Sequence, residues 1–156
     1  MNEVSRFASR GILFNENGQV AMMEMTALNL YKLPGGGLEE NEDKEAAFLR
    51  EIREETGYDA VVVHALGYID EHKFKNQFMQ RSYCFIAKAA SQQRGVELSE
   101  EEVQLGMQVR WMSCEEAIAK MRFPIENCED YSTRFMVLRD RTILELASRW
   151  LDSSVA

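Results

Sequence analysis

The chain has 156 residues, 46% hydrophobic and 28% charged, with a formal net charge of −8; this suits one domain, 1–156, around a single core and excludes a disordered chain. No apolar run is long enough to span a bilayer, so no membrane partner is expected. The acidic balance also argues against a passive binder of nucleic-acid duplex, which needs clustered Lys and Arg to neutralise phosphates.

The first residues, MNEVSRFASRGILF, carry no apolar stretch behind a basic start, so no secretory leader is expected. Residues 5–14 are strand-like, Asn15-Glu16-Asn17-Gly18 supplies an Asn-Gly hairpin signal, and residues 19–25 return as a second strand. The Met-rich stretch within that return reads most simply as core strand, with a homodimer interface as the alternative. Tyr31-Lys32-Leu33 leads into Pro34-Gly35-Gly36-Gly37, where bare backbone follows a path that side chains would obstruct. Residues 43–56 then form a helix: they are rich in Ala, Leu, Glu, Lys and Arg, open on acids, and stop at Gly57.

Residues 60–70 and 78–89 read as two strands of a long hairpin around Lys75 and Asn76. An acidic loop, 97–102, leads to a short strand at 107–112. Ser113-Cys114-Glu115-Glu116 has capping-box spacing and opens a helix through Met121; residues 129–151 read as a closing helix. Strands interrupted by a central helix and followed by terminal helices imply an α/β/α sandwich with a mixed sheet. Cys84, Cys114 and Cys128 are odd in number and lack CxxC spacing, so they read as free thiols and a cytoplasmic location is expected.

The chemistry is concentrated between Gly36 and Tyr58. Gly36, Glu42, Arg50, Glu51, Glu54, Glu55 and Gly57 follow the spacing G-x5-E-x7-R-E-U-x-E-E-x-G-U, with Ile52 and Tyr58 as the bulky apolar residues U. On a helix advancing about 100° per residue, Glu51, Glu54 and Glu55 share one arc, while Leu49 and Ile52 point elsewhere. Three like charges on one arc repel, so their clustering predicts a hard divalent cation among their oxygens. An isolated acidic run is more simply a solvated helix face; the glycine loop and the full spacing favour the cation. A cation also answers how so acidic a protein would hold a polyphosphate.

This segment resembles the signature of the MutT-like Nudix hydrolase superfamily. The resemblance implies an enzyme using Mg²⁺, or alternatively Mn²⁺, held by Glu51, Glu54, Glu55 and the Gly36 carbonyl. It also implies that Glu42 and Arg50 brace the loop against the helix, with Gly57 as further structural support of the site. The reaction so implied has water attack one phosphorus of a nucleoside diphosphate linked to another group, releasing a nucleoside monophosphate and the phosphorylated remainder. Glu51 is a candidate base, with Glu54 beside it; Glu101 and Glu102 downstream are alternative acids, although such side chains are more often merely solvated.

Substrate contacts are less legible. Tyr31, Phe74 and Phe78 are candidates to stack a base and Arg10 and Arg81 to meet phosphate, each with a plain strand or surface role as the alternative. His64 and His72 have no partner suggesting a triad. Markers of related ADP-ribose, dinucleoside-polyphosphate and NADH hydrolases are missing downstream, which leaves a nucleoside triphosphate, including an oxidised one such as 8-oxo-dGTP, as first choice; ADP-ribose, dinucleoside polyphosphates and nucleotide sugars remain alternatives. A nucleotide-sensing domain without turnover is the competing class, but such domains commonly lose acids that this chain keeps. A structural Ca²⁺ loop lacks its D-x-[DN]-x-[DN]-G spacing.

Overall fold

The computed structural model describes residues 3–92, 95–127 and 130–155. Strands β1 (Arg6–Phe14) and β2 (Val20–Met25) are joined by the Asn-Gly turn. They pair antiparallel at Phe14 and Val20. Two short strands take up further edge positions: β3 (Leu30–Lys32) on β2, and β4 (Gly35–Gly37) on β1. The Pro34-Gly loop therefore links β3, paired on β2, to β4, paired on β1.

Helix α1 (Lys44–Thr56) follows, capped at its start by the Asp43 carboxylate and at its end by Gly57, whose φ of 77° few other residues adopt cheaply. The hairpin of β5 (Tyr58–Lys73) and β6 (Phe78–Gln92) is longer than its apolar pattern suggested, and β6 runs parallel to β1. Helix α2 (Glu100–Gln104), strand β7 (Met107–Met112) on β2, and helices α3 (Cys114–Asn127) and α4 (Tyr131–Val155) complete a seven-stranded mixed sheet with helices on both faces.

The period-2 alternation of the strands sorts the core into two layers. Leu13, Ala21, Phe85 and Ala87 pack under Phe48 and Ile52 of α1. Ile12, Met22 and Ile86 pack under Met121 of α3 and Val137, Ile143 and Leu144 of α4. The α/β/α sandwich is thus as expected. Met22, Met23 and Met25 are buried in the chain's own core, which favours the core-strand reading of that stretch.

Three expectations are corrected. Residues 100–104 are helical rather than loop, because Ser99 and Glu102 form a reciprocal capping box that the acidic run concealed. Helix α3 continues past Met121 to Asn127, through Pro124, packed along α4. Phe48, not Leu49, is the partner of Ile52 in the core; Leu49 is only half-buried. Cys128 and Glu129 lie outside the described residues, and α4 is described from Tyr131. Cys84 and Cys114 are free thiols; burial pushes the Cys84 thiol up to about 12, which leaves it unreactive. No helix among the described residues is long and apolar enough to cross a membrane.

Candidate active site

The glycine loop closes on the backbone of β1 at Gly35 and on the Glu51 side chain of α1 at Gly36. An added Cβ at Gly35 would stand 2.5 Å from Ser9 O and 2.6 Å from Arg10 Cα, and its φ is 148°; alanine there must break the β1–β4 pairing. At Gly36 the nearest neighbours of such a Cβ are instead Glu51 Oε1 at 2.7 Å and Cδ at 2.8 Å. Those atoms end a flexible side chain. Gly36→Ala should therefore fold, with melting close to wild type, while displacing the Glu51 carboxylate; a misplacement of this kind costs about 10²-fold in turnover. Wild-type kcat in a folded Gly36→Ala protein would remove the loop–Glu51 contact from the site.

The three acids of the helix do not converge on one point, and no group of three His, Cys, Asp or Glu among the described residues is gathered around a common centre. Like charges at this spacing repel, and the fold gives Glu51 and Glu54 one shared cation, Arg50, and Glu55 another, Lys32. Arg50 Nη1 lies 3.1 Å from Glu51 Oε1 and 3.2 Å from Glu54 Oε2, while its Nε and Nη2 fork onto Glu42 at 2.8 and 3.0 Å and Nη2 reaches Gly37 O at 3.2 Å. Arg50 and Glu42 thus tie helix to loop.

Glu55 turns inward. Its Oε1 accepts the Gly35 N–H at 2.8 Å; Oε2 has no hydrogen-bond partner among the described residues. Lys32 Nζ stands 3.6 Å from that Oε2 and 3.4 Å from both Leu33 O and Gly35 O. Lys32 was not singled out in the sequence; a cation three residues before the glycines was its only signal.

An oxygen-only donor set, a buried carboxylate oxygen with no hydrogen-bond partner among the described residues, and two cationic side chains already drawn against these oxygens fit a hard divalent cation. The electrostatics agree. Burial raises the Glu51 carboxyl above its ordinary value, and burial pushes Glu55 up to about 7 against the opposing pull of Lys32 and the Gly35 N–H.

That rise gives a pH prediction. An acid whose folded pKa is raised binds extra protons in the folded state, so its effect on stability worsens as pH climbs from 4.5 to about 7. With divalent cations chelated, Glu55→Gln should gain on wild type over that window, by on the order of 3 kcal/mol at its upper end. Thermal melts of both proteins from about pH 4 to pH 8 test it, and a difference independent of pH would contradict the buried charge.

The remaining candidates are dispersed. Glu101 is exposed on α2, and Glu102, half-buried beside it, accepts the Ser99 N–H at 2.9 Å; its charge nevertheless reaches Glu55. The Tyr31 hydroxyl donates to Glu24 Oε2 at 3.0 Å. Arg10 is buried facing α4, its Nε donating to Ser82 Oγ at 3.0 Å. Arg81 pairs with Phe7, three register positions from Arg10, and so faces the other way, forked onto Asp70 at 2.8 and 3.0 Å. The two arginines therefore do not share a site. Phe78 lies at the hairpin end, with Lys73 Nζ 5.7 Å from its ring. His64 stacks on Trp150 and His72 on Phe74, as befits structural histidines.

Fold and site together define a class: an α/β/α sandwich whose acidic helix faces a glycine loop across strands of a mixed sheet. The NUDIX domain family model matches residues 5–131, and the chain belongs to that family. It is 36% identical over 66 residues to a Bacillus subtilis (strain 168) protein provisionally named an 8-oxo-dGTP diphosphatase, covering 42% of this chain and 44% of that one. It is 38% identical over 56 residues to the RNA pyrophosphohydrolase of Marinomonas sp. (strain MWYL1), covering 36% and 35%. The matches thus span less than half the length of these curated relatives. The E. coli ORF135 protein has the same fold, with a TM-score of 0.62 at 17% identity over 92% of this chain and 90% of that one.

Proposed function

We propose that the chain is a pyrophosphohydrolase of nucleoside diphosphates linked to another group, working with Mg²⁺ or Mn²⁺, and that its first substrate is a nucleoside triphosphate, including an oxidised one such as 8-oxo-dGTP. The observation that carries this is the contact of the Glu51 carboxylate with the bare backbone of Gly36, beside a buried Glu55 oxygen that has no hydrogen-bond partner. The name of the Bacillus relative supports the choice of nucleotide. Glu51, Glu54, Glu55 and the Gly36 carbonyl would hold the cation, which when bound neutralises the charge of the pyrophosphate oxygens.

The chain's own residues do the rest. Bare backbone from Gly35 to Gly37 admits the phosphates closely. Arg50 keeps Glu51 and Glu54 from springing apart. Glu51, with its carboxyl raised by burial, takes a proton from the attacking water as the new P–O bond forms in line with the anhydride bond that breaks. A nucleoside monophosphate leaves with the phosphorylated remainder.

The test is product analysis after incubating the protein with either cation and nucleoside triphosphates, 8-oxo-dGTP, ADP-ribose, NADH, dinucleoside polyphosphates or nucleotide sugars. Monophosphate release, fastest from a triphosphate, is expected. Tight nucleotide binding with no release from any of them would sink the enzyme reading and favour a sensing domain.

A further inference from the structure

We infer that Asp140 is a positioning residue for the glycine loop, gripping it from the sheet face opposite α1. Three successive residues of the loop are anchored from three directions. Leu33 N–H donates to Asp140 Oδ2 at 3.0 Å, Gly11 N–H donates to Pro34 O at 3.2 Å, and Gly35 N–H donates to Glu55 Oε1 at 2.8 Å. Pro34 has no N–H to offer. Two carboxylates, one from each helical layer and both almost wholly buried, thus hold alternate amides of the segment that enters the site.

Asp140 is itself held. Arg139 donates from Nε to Asp140 Oδ1 at 2.8 Å and from Nη1 to Glu71 Oε1 at 2.9 Å, and Gln80 Nε2 donates to the same Glu71 oxygen at 2.9 Å. Against the upward push of burial, Arg139 and Arg10 keep the Asp140 carboxyl below its ordinary range. Such a buried ionic cluster is poor economy as pure stabilisation, because apolar residues of similar volume often serve a core as well or better. What apolar residues cannot supply is an acceptor for the Leu33 amide. Asp140 divides its two oxygens between Arg139 and the loop, which is how a group fixed for position rather than for core stability is placed.

The inference rests on the hydrolase reading for its catalytic consequence and is tested by a readout that does not need turnover. In Asp140→Asn, an amide oxygen kept on Leu33 turns the amide nitrogen toward Arg139 Nε, so the loop contact and the arginine contact are no longer compatible. Amide hydrogen exchange in the full-length protein should rise at least about tenfold at Leu33 and Gly35 while β1 and α1 keep wild-type protection. Mn²⁺ should bind more weakly in the absence of nucleotide, and kcat should fall about 10–100-fold with little change in KM. Glu71→Gln, which leaves the Leu33 contact in place, should change the same quantities less.

Exchange at the loop equal to wild type, or raised uniformly across the whole chain, would overturn the inference. If Asp140→Asn does not fold, Arg139→Lys is read on the same amides, and unchanged loop exchange there overturns it equally. If the wild-type protein hydrolyses nothing, the hydrolase reading falls alone, since loop exchange and Mn²⁺ affinity still decide the role of Asp140.

Discussion

Glu54→Gln should yield a protein that folds and melts like wild type but turns over about 10²- to 10⁴-fold more slowly, the several kcal/mol at stake if Glu54 holds the cation as proposed. Stability is spared because the side chain is 35% exposed and its ion pair with Arg50 is partly solvated. Exposed i,i+4 pairs contribute only about 0.3–0.5 kcal/mol. Arg50 also keeps Glu42 and Glu51 when Glu54 is neutral, so no cation is stranded. Removing one of several like charges further relieves repulsion along the helix.

The electrostatics supply a second readout. The Glu54 charge is one of the influences raising the Glu51 carboxyl, after burial. In Glu54→Gln, the acid limb of any residual pH–rate profile should therefore move to lower pH. Steady-state kinetics with saturating Mg²⁺, beside a thermal melt, decide the matter. Activity within twofold of wild type in a folded Glu54→Gln protein would remove this residue from the site.

Local features of this site were legible because local rules govern them. The helix between Asp43 and Gly57 ends where its caps predict, to within a residue, since an Asn/Asp cap and a left-handed glycine are short-range signals. The same rule applied to Ser99-Glu100-Glu101-Glu102 would have found α2, but three successive acids looked like solvated loop. What the spacing could not tell was how the helix acids divide. Three carboxylates on one arc were expected to converge, whereas Glu55 lies on the inner edge of that arc and meets Lys32, while Glu51 and Glu54 meet Arg50.

That outcome depends on partners across the fold. Lys32 reaches Glu55 only because β3 pairs with β2, and Asp140 meets Leu33 across 107 residues of sequence. Periodicity carries no register. Arg10 and Arg81 looked alike as isolated cations, and only the pairing of Arg10 with Cys84 puts them on opposite faces of the sheet.

Arg50→Lys should damage the protein in two ways at once, because one guanidinium performs two tasks. Its Nε–Nη2 edge is forked on Glu42 at 2.8 and 3.0 Å, fixing the residues that follow the glycines to the helix. Its Nη1 corner bridges Glu51 and Glu54. An ammonium is a point charge with three donors and cannot span both sets of oxygens from one position. The expected loss is about 1–3 kcal/mol of stability, the scale of hydrogen bonds to charged groups. The accompanying fall in kcat/KM should be about 10–100-fold if Glu51 and Glu54 hold the cation as proposed, since Arg50 would then orient its ligands.

The pH dependence of the stability loss identifies its source. Arg50 holds the Glu42 carboxyl below its ordinary value of 4.5. Stabilisation from an acid with a depressed folded pKa is complete above that ordinary value and is lost as pH falls through the depressed one. The gap in melting temperature between wild type and Arg50→Lys should thus be widest near neutrality and should close below about pH 4.5 as Glu42 takes up a proton. Glu42→Gln, which leaves Arg50 to Glu51 and Glu54, should reproduce most of the stability change and less of the kinetic one. Equal kinetic losses in both variants would mean that bracing the loop, rather than bridging the two helix acids, is what the arginine contributes to turnover.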